Sequence, residues 1–287
     1  MTKKLLDLSG KIDGFMVELF ETISVVADRM DLAFFVVGAL ARDYILQHGY
    51  GIQIKRATQD VDLGVQVPNW DVYNRLSEGL IATDLFIPDK KQAQRLLYKG
   101  YFWVDIIPFG AIAHPKDSVL WPPHREVEMS TLGFEEASQN TIIVRMRAEP
   151  VLDINFVSLV GLAILKIISW SDNMARRNKD AKDLLLLMSK YVDAGNEQRM
   201  FDEGTDLLEL DDFDYEVAGA RLLGRDMAAI LRPKTKMALL KILDRETGDE
   251  SRYTLIASMV EPGAGGSDLE KALRLLEQMK AGITEKI

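Results

Sequence analysis

Three aspartates have the residue type and the surroundings expected of a divalent-metal site. Asp60 and Asp62 lie two residues apart in the β-rich segment DVDLGVQV. On a strand both would project from one face, with Cα atoms about 6.5 Å apart. Two like charges on one face repel unless cations neutralise them, and carboxylate oxygens suit Mg²⁺. Taken alone, an Asp-x-Asp pair is also compatible with two solvated acids.

Asp105 is the single charge in the hydrophobic β-rich run YFWVDIIPF. A carboxylate in such a run is costly unless it is paired or binds a metal. If this strand lies beside residues 60–67, Asp105 becomes a third carboxylate facing the same ions, and two ions there could act in one displacement reaction. The alternative is a buried acid that is satisfied by an arginine or by backbone amides.

A short strand leads through Gly38 directly into a helix in the segment FFVVGALARD. Glycine allows close backbone approach, and a helix N-terminus offers free N–H groups to a phosphate. Arg42, about one turn further, could reach a triphosphate oxygen. A glycine before a helix is by itself also compatible with an ordinary turn.

The elements that position these residues indicate an α+β fold. Residues 1–154 combine strands with helices, and the runs QRLLYKG and YFWVDIIPFG predict a hairpin around Lys99 and Gly100. Residues 155–287 predict a helical domain. Its helices are expected over residues 156–172, 180–193, 213–231, 235–244 and 268–282. Ser267 and Glu270 predict a capping box at the start of the last one.

Composition narrows the range of functions. The 287 residues include no cysteine, which excludes thiol nucleophiles and thiolate metal sites. The net charge of −9 argues against broad contacts to nucleic-acid phosphates. Two basic clusters are interpreted as solvated helix or loop faces, with an RNA-acceptor surface as the alternative; they are Lys90, Lys91, Arg95 and Lys99, and Arg176, Arg177, Lys179 and Lys182. We predict a cytoplasmic protein, because no signal peptide or membrane-spanning run is evident.

The order of these motifs resembles the polymerase-β-type nucleotidyltransferase superfamily. VGALARD is similar to the VGG-x-x-RD element of the tRNA-nucleotidyltransferase branch, and the layout is closest to AbiEii-like and related bacterial predicted nucleotidyltransferases. The resemblance covers residues 34–107 and, more loosely, 156–190. Ala39 departs from the usual Gly or Ser, and the gap between Gly38 and Asp60 is long and contains Lys55 and Arg56.

The resemblance implies transfer of a nucleoside monophosphate from an NTP to a hydroxyl, with two Mg²⁺ ions, or Mn²⁺ in their place, as cofactors. Asp60, Asp62 and Asp105 would be catalytic metal ligands, and Lys166 would be catalytic and would neutralise charge. The residues implied to bind the nucleotide are Gly38, Ala39, Arg42, Lys166, Asp180 and Asp183. Without the resemblance, Lys166 and the two later aspartates are interpreted as a simple ion pair.

The same resemblance implies partners. The acceptor would be tRNA or another RNA, a protein or a small molecule such as an aminoglycoside, and a cognate antitoxin is a further expected partner. No membrane partner is expected. The alternative hypothesis is a catalytically inactive nucleotide-binding or toxin-antitoxin module that keeps the fold.

Overall fold

The chain forms two compact units, Met1–Ser158 and Leu159–Ile287, in a computed structural model. The structure describes residues 3–54, 58–174, 178–209, 213–248 and 251–285. The first unit combines a mixed β-sheet with helices, and the second is helical, so the predicted α+β fold class is confirmed. The two units divide four residues after the predicted boundary.

Ten strands are found in the described part of the first unit. They are β1 (Leu5–Asp7), β2 (Phe34–Val37), β3 (Asp60–Gln66), β4 (Phe86–Pro88), β5 (Arg95–Tyr98), β6 (Phe102–Phe109), β7 (Ser118–Leu120), β8 (Glu128–Ser130), β9 (Thr141–Arg147) and β10 (Leu152–Val157). Eight form one sheet in the order β1-β9-β10-β2-β3-β6-β5-β4, while β7 and β8 pair separately.

The centre of the sheet brings together strands that are distant in the chain. β2 and β3 are antiparallel, β3 and β6 are parallel, and β6 continues into an antiparallel pair with β5. Val61 and Leu63 of β3 are fully buried, whereas Asp60 and Asp62, which alternate with them, are partly exposed. This alternation is the two-residue period of a strand that has one apolar and one polar face.

The helices of the first unit follow their sequence signals. They are α1 (Gly14–Asp28), α2 (Gly38–Asp43), α3 (Trp70–Ile81) and α4 (Phe134–Gln139), with a π-helical segment at Tyr44–Gly49 and a 3₁₀ turn at Ala111–Ala113. The side chains of Asp13 and Asn69 accept hydrogen bonds from backbone N–H groups at the starts of α1 and α3. Such caps satisfy amide groups that have no partner within the helix.

Eight helices make up the described part of the second unit. They are α5 (Leu159–Asp172), α6 (Asn178–Lys190), α7 (Glu197–Asp202), α8 (Thr205–Leu208), α9 (Tyr215–Ile230), α10 (Pro233–Thr247), α11 (Thr254–Met259) and α12 (Gly266–Thr284). The longer ones match the predicted helical periods. Across the described ranges, no helix is both long enough and apolar enough to cross a membrane.

At two helix starts a sequence prediction is wrong. Residues 156 and 157 belong to β10, because Phe156 pairs with Val36 of β2 and with Ile142 of β9, so the helix begins only at Leu159. The last helix begins at Gly266 with Gly265 as its N-cap, and no side chain caps it. Ser267 therefore lies inside the first turn, and the predicted capping box does not form.

Candidate active site

The register of the central strands places Asp62 and Asp105 side by side. They are paired positions on the parallel strands β3 and β6, and Asp60 is paired with Trp103 two residues earlier. Paired positions on neighbouring strands present their side chains to the same face of a sheet. The three aspartates therefore share one face. The strands are direct neighbours, which is the condition on which the three-aspartate interpretation depends.

The carboxylates differ in exposure. Asp105 is 7% exposed, whereas the side chain of Asp60 is 42% exposed. Their strand neighbours Val61, Val104 and Ile106 are fully buried and anchor the two backbones. Acids fixed on rigid, packed strands can hold a geometry that loop residues cannot.

Arg95 of β5 faces these acids. It is the antiparallel partner of Asp105, and its Nε and Nη2 donate to Asp105 Oδ1 and Oδ2 at 2.7 and 2.5 Å. Its Nη2 also lies 3.9 Å from Asp60 Oδ2. The hydrogen bonds to Asp105 raise the pKa of Arg95 above its ordinary value, although burial acts in the opposite direction. The prediction that Arg95 belongs to a solvated basic face is therefore wrong.

Arg95 is a site residue that sequence reasoning missed, and the hairpin contains the signal that could have found it. Tyr98 pairs with Phe102 across a three-residue loop. Counting three residues back from Tyr98 and three forward from Phe102 brings Arg95 opposite Asp105. Loop length fixes the register of a hairpin, so this pairing follows once the loop is assigned.

Two aromatic residues beside the acids were also missed. The guanidinium of Arg95 lies 5.5 Å from the ring centre of Trp103, within the range of a cation–π contact. Tyr73 of α3 donates its hydroxyl to the carbonyl oxygen of Ile106 at 3.0 Å, next to Asp105. Burial raises the pKa of Tyr73, and the charge of Asp105 acts in the same direction. Tyr73 thus stays protonated and ties α3 to β6.

Gly38 lies against the carboxylate of Asp62. Val37 is paired with Asp62 across β2 and β3, and Gly38 follows as the first residue of α2 with φ +73°. A Cβ atom at Gly38 would lie 2.0 Å from Asp62 Oδ2, closer than any side chain allows. Only glycine permits both this backbone conformation and this approach. The strand-glycine-helix motif therefore borders the acidic group directly.

The other residues predicted at the helix start have different surroundings. Arg42 is 3% exposed, and its Nε donates to Asp43 Oδ1 at 2.7 Å. The guanidinium is thus engaged inside the first unit. Ala39 is the second residue of α2. Lys55 and Arg56, which the sequence suggested as additional nucleotide contacts, lie outside the described residues.

The three aspartates provide the donors that Mg²⁺ prefers, but their present arrangement is built around Arg95. Among the described residues, no three acidic or histidine side chains are grouped closely enough to hold a metal ion as they stand. The guanidinium is itself a stand-in cation, because it contacts both oxygens of Asp105 and approaches Asp60. Hard oxygen donors of this kind suit magnesium. The residues present therefore fit a divalent ion, provided that Arg95 releases Asp105.

Lys166, Asp180 and Asp183 form a buried ionic cluster within the second unit. Lys166 Nζ lies 2.6 Å from an oxygen of each aspartate, and all three residues are at most 8% exposed. Burial lowers the pKa of Lys166, but the two carboxylates outweigh it and the pKa lies above its ordinary value. The structure thus shows the ion pair that residue types alone suggested. The roles at a nucleotide that the resemblance implies for these residues remain proposals.

We expect Lys166→Met to lower the free energy of unfolding by about 3–5 kcal/mol, because it would remove the lysine charge that stabilises two buried carboxylates. Lys190→Met is the matched control, since Lys190 at the end of α6 pairs with Asp193 at 2.9 Å but is partly exposed. Its expected loss is below about 1 kcal/mol. Urea unfolding followed by circular dichroism measures both. Equal losses in the two variants would contradict the interpretation.

Comparisons with known proteins give weak likenesses. No family model matches the chain, and no curated protein matches it. The antibiotic-resistance factor ANT(2″)-Ia with adenylyl-2″-tobramycin is 14% identical, over 67% of this chain and 96% of that one, with a TM-score of 0.37. A CCA-adding enzyme with CTP is 17% identical, over 92% and 67%, with a TM-score of 0.34. The Thermotoga maritima CCA-adding enzyme with tRNA is 12% identical, over 92% and 70%, with a TM-score of 0.29.

TM-scores and identities this low establish neither a shared fold nor a shared activity. The function must therefore be inferred from the chain's own residues, and above all from the acidic face of β3 and β6.

Proposed function

We propose that the first unit transfers a nucleoside monophosphate from an NTP to an acceptor hydroxyl. The observation that carries this proposal is the parallel pairing of Asp62 with Asp105, with Asp60 on the same face and Gly38 against Asp62. Carboxylates that converge on one face beside a helix start suit a metal-bound triphosphate. The motif order in the sequence supports the same reaction.

Each residue has a distinct proposed role. Asp60 and Asp62 would hold both Mg²⁺ ions, and Asp105 would ligate the one at the acceptor hydroxyl. Bound there, the ions would neutralise the triphosphate and lower the pKa of the hydroxyl. Gly38 would let the Asp62 carboxylate lie directly against the start of α2, where the triphosphate is proposed to bind. Little covalent chemistry is required of the protein, so positioning and electrostatics would supply the rate.

The proposed reaction forms one bond and breaks one bond. The acceptor oxygen bonds to the α-phosphorus, and the bond from that phosphorus to the bridging oxygen breaks, so pyrophosphate leaves with the electron pair. Asp105 is the proposed acceptor of the hydroxyl proton. This role requires that Arg95 first release the two Asp105 oxygens to which it donates.

Label transfer tests the proposal. The protein would be incubated with each α-labelled NTP, Mg²⁺ and total RNA or an aminoglycoside. We expect one NTP to label one acceptor class with release of pyrophosphate, and we expect Asp60→Ala to abolish labelling while leaving the circular dichroism spectrum unchanged. Undiminished labelling by Asp60→Ala would refute the assignment.

A second candidate function is favoured by the Arg95–Asp105 ion pair. In a catalytically inactive nucleotide-binding module, an arginine could permanently replace the metal between two acids. Such a module would bind Mg-NTP without releasing pyrophosphate. Calorimetric binding of Mg-NTP and a pyrophosphate assay on the same preparation distinguish the two functions, because only the enzyme gives both signals.

We also propose, from the AbiEii-like motif order, that the acceptor is an RNA end and that the chain acts as a toxin with a cognate antitoxin. Inducing the wild-type chain in a bacterial host is then expected to arrest growth, whereas inducing Asp60→Ala is not. Normal growth with the wild-type chain, together with label transfer to a small molecule in vitro, would favour the aminoglycoside-type acceptor instead.

A further inference from the structure

We infer that Arg95 is a built-in counter-ion that occupies the cation position between Asp105 and Asp60, and that a divalent ion must displace it to bind. The identity of the bound ion rests on the proposed function. The displacement itself rests on contacts within the first unit. Arg95 thereby sets how tightly the site holds a metal.

The contacts explain why the two cations compete. Both oxygens of Asp105 accept hydrogen bonds from Arg95, at 2.7 and 2.5 Å, and Asp60 Oδ2 lies 3.9 Å from the same guanidinium. A divalent ion on either oxygen of Asp105 would therefore lie within a few ångströms of a positive charge. At that separation like charges repel strongly where water is scarce, and Asp105 is 7% exposed.

Arg95 is able to leave without a change of backbone. Its side chain is 22% exposed, and a long arginine side chain has several rotatable bonds. Two other groups already interact with Arg95: the ring of Trp103, 5.5 Å from the guanidinium, and Asp89, whose carboxylate interacts with it electrostatically. The guanidinium can thus move away from Asp105 and remain partly compensated.

The chain contains a matched ion pair in the same sheet, away from the three aspartates of β3 and β6. Arg145 and Asp153 are also opposite each other on antiparallel strands, β9 and β10, and Arg145 Nε and Nη2 donate to the two carboxylate oxygens at 2.9 Å each. Arg145→Gln therefore removes the same type of ion pair from the same sheet. It controls for any general effect of losing a positive charge.

The experiment is a titration of the metal-free full chain with Mn²⁺, without nucleotide, in which electron paramagnetic resonance measures the free ion. We expect Arg95→Gln to tighten the Mn²⁺ dissociation constant by about tenfold or more, which corresponds to the loss of one charge-assisted pair. Arg145→Gln is expected to leave it unchanged. Adding Asp62→Asn to Arg95→Gln should remove the gain, which locates the ion at the acidic face.

Several outcomes decide the inference. Unchanged or weaker Mn²⁺ binding by Arg95→Gln would overturn it, as would the absence of Mn²⁺ binding in every variant. If Arg95→Gln fails to fold, Arg95→Lys replaces it, because lysine keeps the charge but loses the bidentate contact, and a tightening of several-fold is expected. Tighter Mn²⁺ binding without label transfer would support the inference and refute the proposed enzyme.

Discussion

Asp62→Asn is expected to lower the rate of nucleotide transfer by at least about a thousandfold, or about 4 kcal/mol of activation free energy. Asp62 is the central acid, because it is paired with Asp105 on one side and lies against Gly38 on the other. Asparagine keeps the size of the side chain but removes the charge that would hold both ions. Single-turnover release of pyrophosphate at saturating Mg-NTP measures the effect.

Asp153→Asn is the control for this substitution. Asp153 is also a strand aspartate that forms an ion pair with an arginine of the same sheet, but it is paired with Arg145 and not with the acids of β3 and β6. We expect its transfer rate to be within about twofold of the wild type, because an exposed pair contributes about 1 kcal/mol or less to stability. Similar rates for Asp62→Asn and Asp153→Asn would contradict the proposed role of Asp62.

Local patterns predict that Asp60 and Asp62 share one face of a strand. They do not predict which other strand lies beside it. The alternation in DVDLGVQV places Asp60 and Asp62 together and buries Val61, as the structure has it. The pairing of β3 with β6 joins residues more than forty positions apart in the chain. Such a contact depends on the packing of the whole sheet. A local sequence pattern does not reveal which distant strand becomes the neighbour.

The weakest sequence predictions concern charged residues and short elements. Arg95 was predicted on a solvated face because a basic cluster surrounds it in the sequence, whereas the hairpin turns it toward Asp105. Sequence patterns also fail to predict the strands β1, β4, β7 and β8, which have three residues each. A strand that short contains too few positions to establish a two-residue period. Long amphipathic helices such as α1 and α9 were predictable because their apolar positions repeat over several turns.

Gly38→Ala is the second substitution with a large expected effect, and it separates backbone strain from displacement of an acid. Gly38 has φ +73°, where an alanine costs about 1–2 kcal/mol of stability. The new Cβ would also lie 2.0 Å from Asp62 Oδ2 and 2.9 Å from its Cγ. The carboxylate must therefore rotate away from its position. A displacement of about 1 Å at a reacting centre can cost about a hundredfold in rate.

Gly10→Ala provides the matched comparison. Gly10 has φ +77°, and a Cβ there would meet nothing within 4 Å, so it carries the backbone cost without the clash. We expect both variants to lose about 1–2 kcal/mol in urea unfolding from the backbone conformation, and Gly38→Ala to lose more because of its clash, but only Gly38→Ala to lose about a hundredfold in transfer rate. Because Gly10→Ala has the same backbone cost without the clash, the difference in rate between the variants reports the displacement of Asp62. A wild-type rate in Gly38→Ala would mean that catalysis tolerates a displaced Asp62, and the proposed site would then lack its central acid.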